Sequence, residues 1–127
     1  MVFGKKRSLL IVDDEVTTLF AFKDLLGDSF QTIDVAQSVA EARTLLECSM
    51  YQGAIVDLRL CGSNGTEGFD VVEMIRSVCP DCRIIMLTAF AQPETKKNAF
   101  TRGVDSFFEK PVSPEIIRTT FQSYGVL

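Results

Sequence analysis

Residues Ser8–Val16 read SLLIVDDEV: a short apolar run of strand type, then three acids in a row, Asp13, Asp14 and Glu15. Adjacent carboxylates repel, so ending a buried strand with them is costly unless negative charge is needed there. Three other residues suit the same chemistry: Asp57 ends AIVD, Thr88 ends IIMLT, and Lys110 follows SFFE. Two ionised carboxylates at ~4 Å repel by about 4 kcal/mol at an effective dielectric near 20. Gathering Asp13, Asp14 and Asp57 would then cost roughly 12 kcal/mol, enough to force a proton or a cation into the cluster. With no His or Cys among these groups, a hard, oxygen-seeking cation fits: Mg²⁺ first, with Mn²⁺ as the alternative. A bound cation draws in an anion, most simply a phosphoryl group. Lys110 supplies a second positive charge and Thr88 a hydrogen bond. Seen singly, the acids read as a solvated turn, Thr88 as a strand-end hydroxyl and Lys110 as a surface charge; together they read as a site.

The rest of the chain must bring them together. Apolar runs of strand type fall at 8–12, 30–36, 51–58, 83–89 and 104–109. Helical patterns fall between and after them, at 16–26, 38–48, 69–78, 93–100 and 113–123. The first helix carries Val16, Leu19, Phe20 and Leu26 at helical spacing, with Gly27 as its stop. Ser38 with Glu41 forms a capping box, and Ser113 with Pro114 an N-cap followed by proline at the first helical position. Five strands alternating with five helices predict an α/β fold with a parallel sheet. Continuous apolar strands predict that both sheet faces are covered. In open α/β sheets function gathers at the carboxyl ends of the strands, and Asp13, Asp14, Asp57, Thr88 and Lys110 all stand at such ends. The segment 93–100, PETKKNAF, has few apolar residues and should be among the weakest packed.

At these residues the sequence resembles a two-component response-regulator receiver domain of the CheY-like family. LLIVDDE, AIVDL, IIMLTAF and FFEKP match the family's strand-end motifs in order, and GVDSFFEKPVSPEI resembles its last strand and helix. The resemblance covers nearly the whole chain. It implies a doubly wound, flavodoxin-like sheet of five parallel strands in the order 2-1-3-4-5, forming a single receiver domain over residues 1–127 with no output domain. It implies a phosphorylation-dependent switch, in which Asp57 takes a phosphoryl group from a phosphohistidine on a sensor histidine kinase or histidine phosphotransfer protein. Asp13, Asp14, Asp57 and the backbone carbonyl of Arg59 would hold Mg²⁺, and Lys110 would pair with the phosphoryl oxygens. Thr88 would move toward that group, and Phe107 would follow from an outward to an inward rotamer. The Lys110–Pro111 peptide would be cis, and the small Ala89 would keep the site open.

The sequence departs from the family pattern in the loop LRLCGSNGTEG after Asp57. It lacks the usual proline and is about three residues longer if Gly68 takes the usual glycine position. Phe107 stands where Tyr is commoner. Arg59 and Phe90, two residues past Asp57 and Thr88, occupy positions that tune phosphoryl lifetime in the family. Two other functions stay open: an aspartyl-phosphate phosphatase or phosphotransferase of the haloacid-dehalogenase type, and a degenerate receiver that only binds. The first uses a second Asp two residues after its nucleophile, where this chain has Arg59. The second is disfavoured by the full set of key residues.

Composition narrows the field. The 127 residues carry a net charge of −4 and no histidine. His-based triads and most catalytic zinc sites are excluded, as is a phosphohistidine on this chain. Mild acidity argues against a nucleic-acid surface, and no apolar run approaches a membrane span. The start, MVFGKKRSLLIVDD, does not read as a signal peptide, so a cytoplasmic location with reduced thiols is expected for Cys48, Cys61, Cys79 and Cys82. The CxxC of Cys79 and Cys82 reads as two incidental thiols in a helix-to-strand loop. The downstream target or a fused output domain is not legible in the chain.

Overall fold

Apolar runs that cover both faces of a sheet must alternate their side chains between two cores, and they do. The computed structural model describes residues 7–60 and 65–127. The elements run β1 (Ser8–Val12), α1 (Val16–Leu26), β2 (Thr32–Ala36), α2 (Val39–Cys48), β3 (Gly53–Asp57), α3 (Glu67–Val78), β4 (Arg83–Thr88), α4 (Pro93–Thr101), β5 (Ser106–Glu109) and α5 (Pro114–Ser123). The strands form one parallel sheet in the order β2-β1-β3-β4-β5, the doubly wound α/β architecture expected. Cys61 and residues 62–64 of the Gly- and Asn-rich loop lie outside the described residues.

Leu10, Val12, Ala54, Val56, Ile84 and Met86 face one core with Ala42 and Leu46 of α2, Phe69, Val72 and Ile75 of α3, and Ala99 of α4. Their strand neighbours Leu9, Ile11, Ile55, Ile85 and Leu87 face the other, with Leu19, Phe22 and Leu26 of α1 and Ile117 and Phe121 of α5. Each fully buried aliphatic side chain contributes about 1.5–3 kcal/mol relative to exposure. The central strands are therefore a stiff frame for whatever their ends carry.

The predicted caps form. Ser38 Oγ accepts from Glu41 N at 3.1 Å, and Ser113 Oγ from Ile116 N at 3.3 Å. Glu41 reaches back one residue further than a capping box requires, to Gln37 N at 3.0 Å. Gly27 does not stop α1 by a left-handed turn, since its φ is −59°. The helix ends where Ser29 N and Phe30 N fold back onto Leu26 O. The buried stripe of α1 is Leu19, Phe22 and Leu26, whereas Val16 and Phe20 point to solvent, Phe20 at 65% exposure. Of α4 only Ala99 is buried, the weak packing read from its composition. Its far end is held by Arg102, which stacks over Phe69 at 4.6 Å and pairs with Glu73.

Two glycines are required by close approach. A Cβ on Gly53 would stand 2.9 Å from the Phe121 ring. A Cβ on Gly68 would stand 2.4 Å from Asp57 O and 2.7 Å from Leu58 Cα. Gly68 N also donates to Leu58 O at 2.8 Å, so the start of α3 lies directly on the backbone that carries Asp57. The obstacle is backbone and cannot swing aside. Gly68→Ala should therefore destabilise the domain by about 1–3 kcal/mol, the usual cost of overpacking. Chemical denaturation checks this; a mutant unfolding at the wild-type denaturant midpoint would show that α3 shifts freely.

Candidate functional site

The carboxyl ends of β1, β3, β4 and β5 converge because parallel strands all end at one sheet edge. Backbone hydrogen bonds tie the loops just beyond those ends. Asp13 N donates to Ala36 O at 3.0 Å, Leu58 N to Leu87 O at 2.9 Å, and Lys110 N to Thr88 O at 2.7 Å. The Lys110–Pro111 peptide is cis, as expected.

Asp13, Asp14 and Asp57 meet at this edge, each offering a carboxylate oxygen within 4.8 Å of the others. Asp13 and Asp57 are buried, at 2% and 5% exposure, and Asp14 is exposed. Asp13 is further fixed by Oδ1, which accepts from Glu15 N at 2.9 Å. Lys110 Nζ donates to Asp13 Oδ2 at 3.0 Å and to Asp57 Oδ2 at 3.3 Å. Glu15 Oε1 lies 4.0 Å from the same ammonium. One cation thus faces several anions.

The titration of the cluster reflects that imbalance. Burial and then the Asp13 charge push the Asp57 carboxyl up to about 6, against the opposing pull of Lys110 and the Arg59 N–H. Burial alone draws the Lys110 ammonium down. The Asp13 hydrogen bond and the charges of Asp57 and Asp13 outweigh it and hold the group above its ordinary range. The edge therefore has affinity for a further positive charge. Its donors are all oxygens, the set a hard divalent cation takes.

Thr88 is buried beside the acids, one residue past the Asp57–Leu87 pairing of β3 and β4. Its hydroxyl has only a long contact, 3.4 Å, to the backbone of Phe90, so it is free to take a better partner. Ala89 is exposed at the mouth. Arg59 N approaches Asp57 Oδ1 at 3.4 Å. Phe107 does not join the acids. It pairs with Met86 in mid-strand and is buried in the core of the α2, α3 and α4 face at 8% exposure. The inward position is the one seen rather than an outward starting rotamer.

Sequence reasoning passed over Glu109. Its carboxylate accepts from Ala91 N at 2.8 Å and so holds the loop between β4 and α4. The available signal was its position directly before Lys110, opposite Thr88 in register.

The sequence profile of the response regulator receiver domain matches residues 9–122. The photosynthetic apparatus regulatory protein RegA of Cereibacter sphaeroides is 37% identical over 108 residues, covering 85% of this chain and 57% of that protein. The alginate biosynthesis transcriptional regulatory protein AlgB of Pseudomonas putida is 34% identical over 110 residues, 87% of this chain and 24% of that one. The chain therefore spans only part of these curated relatives. A CheY-like response regulator receiver domain protein from Methanospirillum hungatei superposes with a TM-score of 0.84 at 24% identity, covering 95% of both chains, a likeness of fold. No helix among the described residues is long and apolar enough to cross a membrane. With its sheet order, its acid edge and a profile match across nearly its full length, the chain belongs to the response regulator receiver domain family, whose general function is phosphorylation-dependent signalling.

Proposed function

We propose that Asp57 is the phosphoacceptor of this domain and that a phosphohistidine on a sensor kinase or histidine phosphotransfer protein is its donor. The observation that carries this reading is the buried Asp57 carboxylate set between two further aspartates and a lysine ammonium 3.3 Å away. Asp57 attacks phosphorus through a carboxylate oxygen, which once ionised needs no general base. Lys110, already bridging Asp13 and Asp57, positions the nucleophile and is placed to pair with phosphoryl oxygens as their charge develops. Asp13, Asp14, Asp57 and the Arg59 backbone carbonyl would hold Mg²⁺ or Mn²⁺, which neutralises acid and phosphoryl charge together. Thr88 is the hydrogen-bond donor that senses the phosphoryl group, and Phe107, already buried in the inward position, is the aromatic that is held there with it. The residue two past Asp57 is Arg59 rather than an acid, so the chain carries a phosphoryl group on itself and is not a turnover enzyme. Its target, or the output domain to which it is joined, is a protein surface or module that reads the α4 side of the domain.

Asp57→Asn should abolish the base-labile acyl phosphate formed from acetyl phosphate, and EDTA should abolish it in the wild type. Stoichiometric labelling of the Asn variant would place the nucleophile elsewhere.

The raised Asp57 carboxyl has a consequence for stability. In the folded, metal-free chain it holds its proton up to about pH 6, whereas the unfolded carboxyl releases it near 3.8. The folded state binds more protons between these values, so stability falls as pH rises through the window. The destabilising charge is fully present above the folded value. Asp57→Asn should therefore raise the melting temperature in EDTA at about pH 7.5, with the gain fading below about pH 5. Added Mg²⁺ should stabilise the wild type and not the variant. Equal melting temperatures for the two proteins in EDTA at neutral pH would refute this electrostatic account.

Thr88→Val leaves the acids and Lys110 intact and should still accept phosphate. Losing one charge-assisted hydrogen bond of about 1.5–3 kcal/mol should lower the active-to-inactive ratio roughly tenfold to a hundredfold. Amide NMR of beryllofluoride-treated wild type and variant, read from Ala89 to Lys110, checks it. A full wild-type shift pattern in the variant would remove Thr88 from the coupling.

A further inference from the structure

The sheet edge opposite the acids holds a cleft of about 810 Å³, lined among others by Met50, Arg76, Cys79, Cys82, Asp105 and Tyr124. Two of its wall residues are thiols, and the sequence dictates how close they come. Cys79 ends α3, donating its N–H to Ile75 O at 2.6 Å. Cys82 N then donates to Cys79 O at 3.1 Å, closing Cys79-Pro80-Asp81-Cys82 into a β-turn with proline at the position that favours it. The ends of such a turn lie within about 7 Å Cα to Cα, and a disulfide spans about 4.4–6.8 Å. Both side chains are buried in the same core cluster, at 3% and 2% exposure, and Cys82 Sγ contacts the Arg83 carbonyl at 3.8 Å. The helix-to-strand loop placement read from the sequence holds, and the two thiols there are buried core residues.

Their surroundings are sulfur-rich and held in place. Cys79 Sγ lies 3.6 Å from Met50 Sδ, whose side chain is exposed at the cleft mouth. Arg76 binds the Pro80 carbonyl at 3.0 Å and also the Cys82 carbonyl, while Asp105 anchors Arg76 and Ile84 N at 2.8 Å each. The turn is therefore pinned from both sides at a backbone spacing that a disulfide can span, and closure would take Cys82 Sγ off the Arg83 carbonyl. Cys48 lies apart from the pair, exposed on α2.

We propose that Cys79 and Cys82 form a reversible redox dithiol that closes to an intramolecular disulfide when the domain meets a peroxide. In the first step the Cys79 thiolate attacks a peroxide oxygen. The O–O bond breaks, and the departing hydroxide takes the thiol's proton as water. In the second, Cys82 sulfur attacks the Cys79 sulfenic sulfur. The S–O bond breaks and a second water leaves with the Cys82 proton. Two thiols lose two electrons and two protons, and one peroxide becomes two waters. Burial, with Cys79 adding, pushes the Cys82 thiol up to about 12, which makes it the poorer first nucleophile; its attack on the Cys79 sulfur depends on the proximity the turn provides. The site is independent of the phosphoryl chemistry at the other edge.

The test exposes the full chain to dilute hydrogen peroxide, blocks remaining thiols with a maleimide under denaturing conditions, and reads intact mass and peptides. The expected result is loss of two of the four titratable thiols, a peptide in which Cys79 is joined to Cys82, and return of all four on dithiothreitol treatment. Cys79→Ala should keep all three remaining thiols under the same exposure, whereas Cys82→Ala should lose one, Cys79, as a dithiothreitol-reducible sulfenic acid with no disulfide peptide. Four reactive thiols in the treated wild type would overturn the proposal, as would a disulfide that maps to Cys48 or Cys61. Peptide mapping of the wild type decides the matter even where an alanine variant folds poorly.

Discussion

Three carboxylates held within 4.8 Å of one another are the constraint around which the domain is arranged. Like charges at that spacing repel by several kcal/mol in a medium of intermediate dielectric, so the cluster survives only where something stiffer than the repulsion holds it. The parallel sheet does this. Asp13 and Asp57 extend strands whose every residue is buried, and withdrawing either carboxylate would drag apolar side chains into water. Lys110 offsets part of the charge from the end of an edge strand. Its position depends on the hydrogen bond from its own N–H to Thr88 O. Positive charge at the site is thus built into the fold but does not neutralise it, which leaves the edge with an affinity for more.

The two faces of the sheet do different work around that edge. On one side α1 and α5 pack through Leu19, Phe22, Leu26, Ile117 and Phe121, all buried. On the other, α3 is well anchored, yet α4 contributes a single buried residue, Ala99. Conformational freedom concentrates where burial is least. Arg102 fastens the far end of α4 to Phe69 and Glu73, whereas the near end depends on the exposed bond from Ala91 N to the Glu109 carboxylate. The carboxyl end of α4 is therefore held by more contacts than the loop after Thr88.

Most of this was legible in the sequence, for physical reasons. Continuous apolar runs with acids at their ends admit few arrangements other than buried parallel strands with a charged edge, so the sheet and the cluster of Asp13, Asp14, Asp57, Thr88 and Lys110 could be read before any contact was seen. Side-chain direction was less legible. Val16 and Phe20 fit a helical stripe as well as Phe22 does, and only packing against α5 selects Leu19, Phe22 and Leu26. The inward placement of Phe107 is set by the neighbouring elements that share its core rather than by its own strand. The burial of Cys79 and Cys82 follows from the way Arg76 and Asp105 fold the turn inward, contacts between residues far apart in the chain.

Under the proposed function, Thr88 and Glu109 share one hinge. Thr88 O accepts from Lys110 N, while Glu109, opposite Thr88 in register, holds Ala91 N three residues beyond it. A phosphoryl group on Asp57 adds negative charge beside Lys110 and offers the Thr88 hydroxyl an acceptor better than its present 3.4 Å contact with Phe90. Drawing Thr88 toward Asp57 pulls the following loop, and the bond from Ala91 to Glu109 opposes that pull. The bond is solvent-exposed, so its net worth is small, about 0.5–1.5 kcal/mol or a little more for a charged acceptor. Moving a two-state equilibrium from 1:99 to 99:1 requires about 5.5 kcal/mol, so a latch of that size tunes the balance without locking it. The same arithmetic explains why the loop is held by one exposed carboxylate rather than by buried packing. A core contact of several kcal/mol there would consume the interaction energy that Thr88 and Lys110 together can supply.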